Sequence, residues 1–82
     1  MRRQPDRHKL EIVVFAHNIL EHELRAGDLG TVVEIYPGGG GVEVEFVRGS
    51  GITQALLTLS ERDLRKIDSH DLLATRRLAE VT

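Results

Sequence analysis

The stretch RAGDLGTVVEIYPGGGGVEVEFV, from Arg25 to Val47, reads as a turn, a strand, a glycine hairpin and a second strand. Leu29–Tyr36 is rich in β-branched residues, which suit the pleated surface of a sheet. Pro37 ends that run because it has no N–H for a continuing ladder. Residues 38–41 are all glycine and can adopt the positive φ that a tight reversal needs. The stretch therefore predicts a β-hairpin.

The second arm of this hairpin alternates strictly between apolar and acidic residues. Val42, Val44 and Phe46 lie on one face of an extended strand, and Glu43 and Glu45 lie on the other. One side of the hairpin is therefore expected to be buried, while the other is solvated and acidic.

Length and composition restrict the chain to one small domain. Its 82 residues are 40% hydrophobic and 29% charged, values typical of soluble globular proteins. There is no cysteine, which excludes disulfides and thiolate chemistry and is compatible with a reducing compartment. No apolar run approaches the roughly 20 residues of a membrane helix, and the basic start has no signal-peptide pattern. We therefore expect a cytoplasmic protein.

Charge is segregated along the chain although the formal net charge is only -2. Basic residues exceed acidic ones in the first eleven positions, whereas acidic residues exceed basic ones in residues 12–67. An acidic body is a poor surface for the phosphate backbone of a nucleic acid.

The remaining segments follow from their apolar patterns and turn residues. Three further strands are predicted at 11–16, 52–59 and 64–67. Residues 17–25 break the β pattern and are interpreted as an irregular excursion, pinned by Ile19, Leu20 and Leu24.

Three turn or cap signals divide these segments. Ala26-Gly27-Asp28 predicts a turn in which the Asp28 side chain caps local backbone N–H groups. Gly30 indicates a bulge or a close backbone approach. Ser60 and Asp63 form a capping-box pattern for a one-turn helix before the last strand.

Five short strands, the irregular excursion and the one-turn helix together predict an all-β fold. Specifically, we expect a small five-stranded SH3-like barrel with a short C-terminal helical segment. Residues 1–9 are then a polar basic arm, 10–67 the barrel and 68–82 a tail that is partly helical around 72–80.

Three blocks of sequence carry a resemblance to a known family. They are L-x-A-G-D-x-G-T-V-V-E-x-Y from Leu24 to Tyr36, VEVEFV at 42–47 and LTLS-x-x-DLR at 57–65. Over residues 10 to 67 the chain resembles the bacterial "domain of unknown function" family 4926. The resemblance implies an SH3-like fold and does not imply any activity. A looser similarity to KOW-type modules rests on the Gly-Asp turn before a Gly-x-Val strand.

The residues predict no catalytic, metal or cofactor site. His17 and His22 lie near Glu21 and Glu23, but that pattern is generic, whereas zinc needs three or four converging ligands. The glycine run at 38–41 lacks the helix and lysine of a phosphate loop. The serines occupy turn and cap positions, and an open strand face would not raise the pKa of Glu43 or Glu45 toward that of a general acid. We therefore expect a non-enzymatic protein without a cofactor.

The sequence favours a protein-interaction module, such as an accessory, regulatory or immunity-type protein. If Glu34 points outward, strand alternation places Val32 and Tyr36 on the same face. An exposed apolar patch with an acidic rim is typical of a protein-binding surface. The predicted partner-binding residues are Val32, Glu34, Tyr36, Glu43 and Glu45. The competing interpretation is that the 17–25 excursion or the 70–80 segment covers them.

Two other functions stay open. The first is a KOW-like nucleic-acid-binding module that uses the basic arm residues Arg2, Arg3, Arg7 and Lys9. The second is a homo-oligomer, because a small barrel with exposed strand edges is stabilised when those edges pair.

Overall fold

The computed structural model of the chain describes residues 7–78. Its elements are five strands and two 3₁₀-helices. The strands are β1 (Ile12–Phe15), β2 (Leu29–Ile35), β3 (Val42–Val47), β4 (Thr53–Leu59) and β5 (Leu64–Lys66). The 3₁₀-helices are Leu20–His22 and Glu61–Asp63. In this part of the chain, no helix is long and apolar enough to cross a membrane.

The five strands form one antiparallel sheet in the order β4-β3-β2-β1-β5. The all-β prediction is thereby confirmed, and each predicted strand agrees with the observed one to within one or two residues at its ends. The predicted barrel is wrong, because the sheet is not closed: β4 and β5 are its two edges and do not pair. Closure requires hydrogen bonds between the outermost strands, and β5 has only three residues, which pair with β1.

The core lies on one face of this sheet, which we call the inner face. Phe15 of β1 and Phe46 of β3 meet there edge to face, with ring centroids 5.5 Å apart. Gly30 of β2 lies beneath them, and a Cβ atom at that position would come within 2.5 Å of Val44 Cγ1. The missing side chain leaves room for Val44 and Phe46, so the close approach at Gly30 is made by side chains of β3 and not by backbone.

A bulge in β2 changes which residues face the core. Val32 pairs with Val44 and Glu34 pairs with Glu43, so Val33 is an extra residue without its own partner. Simple alternation places Val32 on the outer face with Glu34, but Val32 is buried, with 0% of its surface exposed. The prediction that Val32 is exposed is wrong because the bulge inverts the alternation between the two residues.

The excursion between β1 and β2 is held by backbone bonds and two apolar side chains. Ile19 and Leu24 exchange backbone hydrogen bonds of 2.8 and 3.1 Å, Leu24 is buried, and Ile19 packs against the core. Leu20, predicted to pin this segment, is 87% exposed, because it begins the solvent-facing 3₁₀-helix. Asp28 Oδ2 accepts the Arg25 N–H at 2.7 Å, which confirms the predicted cap.

The capping box before β5 is confirmed. Asp63 Oδ2 accepts the backbone N–H of Ser60 at 2.9 Å and its hydroxyl at 3.1 Å. This bond to the Ser60 backbone is the main reason why the pKa of Asp63 lies below its ordinary value, and His17 Nε2, 3.0 Å away, favours the same ionised state. The turn aligns β5, so that Leu64 enters the core.

The predicted C-terminal helix is absent from residues 71–78, which have no regular secondary structure. Leu72 and Leu73, the start of the predicted apolar stripe, are exposed. A short helix gains too little from its own hydrogen bonds to offset nucleation unless it can bury such a stripe. Ion pairs hold the segment instead, and the predicted helical residues 79–80 lie outside the described part of the chain.

Candidate partner-binding surface

The sheet presents an acidic surface opposite the core, formed by side chains of β2, β3 and β4 and the first residue after β2. We call this surface the outer face. It comprises Glu34, Tyr36, Glu43, Glu45, Leu56 and Thr58. Glu43 is the cross-strand partner of both Glu34 and Thr58, and Glu45 is the partner of Leu56. Four of the five residues predicted for partner binding therefore share one surface, and Val32 lies on the opposite side of the sheet.

A hydrogen bond ties the one tyrosine to a glutamate on this face. The Tyr36 hydroxyl donates to Glu43 Oε1, and the Thr58 hydroxyl donates to the same oxygen at 3.4 Å. The bond to Glu43 raises the pKa of Tyr36 above its ordinary value, because the neutral hydroxyl is the donor. Tyr36 is 38% exposed, so part of its apolar surface contacts solvent, while the bond to Glu43 holds the ring in position.

The other two glutamates of the outer face also have partners. Lys9 Nζ lies 3.1 Å from Glu34 Oε1, with both side chains largely in solvent. An exposed pair of this kind contributes little stability and can be exchanged for another partner at small cost. The Thr53 hydroxyl donates to Glu45 Oε2. The outer face thus carries three carboxylates, a single neighbouring lysine and the exposed side chain of Leu56.

The basic arm is engaged with acidic residues where the structure describes it. Arg7 Nη1 lies 2.7 Å from Glu11, and its Nε lies 2.9 Å from Glu61. The Arg7 side chain is only 6% exposed. Together with the Lys9 pair, these contacts place both described arm cations on carboxylates of the domain itself. Arg2 and Arg3, the other two residues predicted for nucleic-acid binding, lie outside the described residues.

His17 and the glycine hairpin have structural contacts. His17 packs edge-on against Phe15, in addition to its pairing with Asp63. Within residues 7–78, no three His, Asp or Glu side chains converge as metal ligands. Three glycines of the hairpin have positive φ, and at Gly41 a Cβ atom would also meet Leu59 O at 2.5 Å.

A second surface feature was not predicted from the sequence. Near each end, the C-terminal segment, residues 71–78, is bound to the domain by a bidentate arginine–carboxylate pair. Arg65 holds Asp71 at 2.7 and 2.9 Å, and Arg76 holds Asp28 at 2.7 and 2.8 Å. Between this segment and the sheet lies a groove of 490 Å³, lined in part by Leu29, Phe46 and Val47. No local sequence pattern predicts the Arg76–Asp28 pair, because 48 positions separate the two residues.

The Arg76–Asp28 pair shifts the pKa values of both groups. Partial burial opposes ionisation of Asp28, but the bonds from Arg76 and from the Arg25 backbone outweigh it, and its pKa lies below the ordinary value. The same bond raises the pKa of Arg76. The pair therefore stays ionised throughout the neutral range.

Comparison with known proteins identifies a family. Residues 9–66 match the family model described as Domain of unknown function (DUF4926). This match covers more than half of the chain and confirms the resemblance carried by the three sequence blocks. No curated protein and no solved structure matches the chain.

Proposed function

We propose that this chain, which belongs to the DUF4926 family, is a non-enzymatic module that binds a basic protein surface through its outer face. The observation that carries the proposal is the grouping of Tyr36 with Glu34, Glu43 and Glu45 on one face of the sheet. The role that follows is that of an accessory, regulatory or immunity-type protein.

The chemistry of the outer face supports a partner with lysine or arginine side chains around an apolar centre. Three carboxylates within one sheet face create a negative potential that steers and orients such a partner. Tyrosine is among the residues enriched at interfaces, because it combines apolar area with a polar tip. Leu56, which is 53% exposed, adds apolar surface beside Glu45.

Preorganisation of these side chains supports the same proposal. The bond between Tyr36 and Glu43 and the bond between Thr53 and Glu45 already fix both glutamates in the free protein. Fewer rotamers are then lost on binding, which lowers the entropic cost of association. The Lys9–Glu34 pair is exposed, so an incoming arginine can replace Lys9 at little cost.

The proposal is tested by affinity enrichment with the intact protein, followed by calorimetric titration of any partner that is enriched. Tyr36→Ala combined with Glu43→Lys is expected to weaken the affinity for that partner by at least about tenfold, as hot-spot substitutions do. The control is Glu21→Lys, which reverses one charge on the exposed 3₁₀-helix away from the outer face. Unchanged affinity of the double variant would rule out this surface.

We also propose an SH3-like arrangement of the strands, in the form of an open sheet. The excursion between β1 and β2, the glycine hairpin and the 3₁₀-helix immediately before β5 support it. The outer face supports the proposed function and the fold does not, since folds of this kind serve many unrelated roles.

A further inference from the structure

The two edges of the sheet differ in how they are protected. β5 is three residues long and includes Arg65 and Lys66, and short length and basic residues are two common means of preventing edge-to-edge pairing. β4 is seven residues long, TQALLTL, without a charged residue or a proline. Its one irregularity is a bulge at Gln54, near one end. The β4 edge therefore carries almost none of the features that keep a strand from pairing.

The backbone of β4 is available for pairing. Among residues 7–78, β3 is the only strand that neighbours β4 in the sheet. No backbone hydrogen bond joins Thr53–Leu59 to a loop or turn in that part of the chain. Alternate N–H and C=O groups of an edge strand point away from the sheet, so one side of β4 presents a row of such groups.

We propose that β4 of a second copy of this chain pairs antiparallel with this edge, about a two-fold axis at Leu56. Leu56 is the middle residue of β4, so this register overlaps the full length of both strands. It places the exposed Leu56 side chain opposite its own copy on the outer face, and Ala55 opposite Leu57 on the inner face. The pairing thus joins two sheets into one continuous sheet of ten strands.

Charge and size both fit a second copy. The uncharged β4 strands meet without like-charge repulsion. The acidic residues Glu43 and Glu45 of the two copies lie three strand spacings apart, about 14 Å. This separation exceeds the Debye length of about 8 Å at physiological salt, so their repulsion is largely screened. Two short edges bury less surface than a permanent dimer needs, so the association is reversible and depends on concentration.

The test is sedimentation velocity of the full chain from micromolar to millimolar concentration. We expect reversible dimers in the native protein. Leu56→Lys places two ammonium groups opposite each other and is expected to raise the dimer dissociation constant by about tenfold or more. The matched control is Leu20→Lys, which makes the same change at an exposed leucine outside the sheet and leaves the constant unchanged.

A second variant and a second measurement guard against loss of folding. Leu56→Glu places two carboxylates opposite each other on the outer face and is also expected to weaken the dimer, with native folding checked by circular dichroism. Hydrogen exchange should show β4 amides becoming more protected as concentration rises. Glu43→Lys should not weaken the dimer, which separates this proposal from the one on partner binding.

Three results would overturn the proposal. The first is a protein that stays monomeric at every concentration, and the second is a dimer that neither Leu56 variant weakens. The third is a protein that does not self-associate but binds a peptide of alternating lysine and valine along β4. The partner of this edge would then be a foreign strand and not a second copy.

Discussion

Gly30 leaves the space that the core side chains of β3 occupy. A Cβ atom there would lie 2.5 Å from Val44 Cγ1 and 2.9 Å from Phe46 Cε1. Both side chains belong to the buried core, so neither can move away without opening a void elsewhere. The side-chain hydrogen of Gly30 is therefore a packing requirement of β2 and not a turn requirement.

Gly30→Ala is expected to destabilise the domain by about 1–3 kcal/mol, the usual cost of overpacking a core. The control is Gly49→Ala, since Gly49 has an ordinary φ and no atom lies within 4 Å of its added Cβ. Urea unfolding measures both variants. Equal stability of the two would mean that the core yields at Gly30, contrary to the packing described.

At the scale of elements, the bulge in β2 and the capped turn before β5 set the orientation of the strands. The bulge turns Val32 inward and leaves Glu34 outward, which separates the core from the candidate binding surface. The capped turn directs β5 back toward β1, with Ala16 N–H donating to Asp63 O at 2.9 Å. Each device uses only a few residues.

Asp63→Ala is expected to lower the free energy of unfolding by about 0.5–2 kcal/mol, the range for loss of a capping side chain. The variant removes the acceptor for the Ser60 N–H and hydroxyl and the partner of His17. Arg62→Ala, in the same 3₁₀-helix, is the control, because Arg62 is exposed and lies outside the cap. Chemical denaturation that gives equal losses for the two variants would contradict the role of the cap.

At the scale of the whole molecule, the C-terminal segment is joined to the domain by charge pairs. Asp71 is held by Arg65 and by the Asp68 backbone N–H, which together lower its pKa to about 2. The folded pKa is depressed, so the pair contributes stability that is complete above the ordinary aspartate pKa of about 4. That contribution is lost as the pH falls from about 4 through about 2.

Carbon-detected NMR titration of the Asp71 carboxyl checks this pH dependence. We expect a midpoint near 2 in the native chain and a higher one in Arg65→Gln, which stays below that of an ordinary aspartate because the bond from the Asp68 N–H remains. Arg62→Gln removes an exposed arginine that does not shift the pKa of Asp71 and should leave the midpoint unchanged. A native midpoint near 4 would show that the pair does not persist in solution.

Much of the fold could be predicted from short-range chemistry. The β-branched run of β2, the glycines after Pro37 and the alternation of β3 each specify a local conformation, and the structure has all three. The Ser60–Asp63 cap and the Asp28 turn belong to the same class. The candidate surface was also predicted from strand alternation. Alternation placed four of its residues on the correct face: Glu34, Tyr36, Glu43 and Glu45.

What the sequence alone determined is therefore the set of strands, turns and caps, because each depends on residues only a few positions apart. The tertiary structure decided the inward position of Val32, the open edges of the sheet and the irregular C-terminal segment. A bulge exists only relative to a paired strand, closure depends on whether distant edges meet, and the Arg76–Asp28 pair joins residues 48 positions apart. Such contacts depend on which distant surfaces come together, and a periodic pattern within one segment does not specify them.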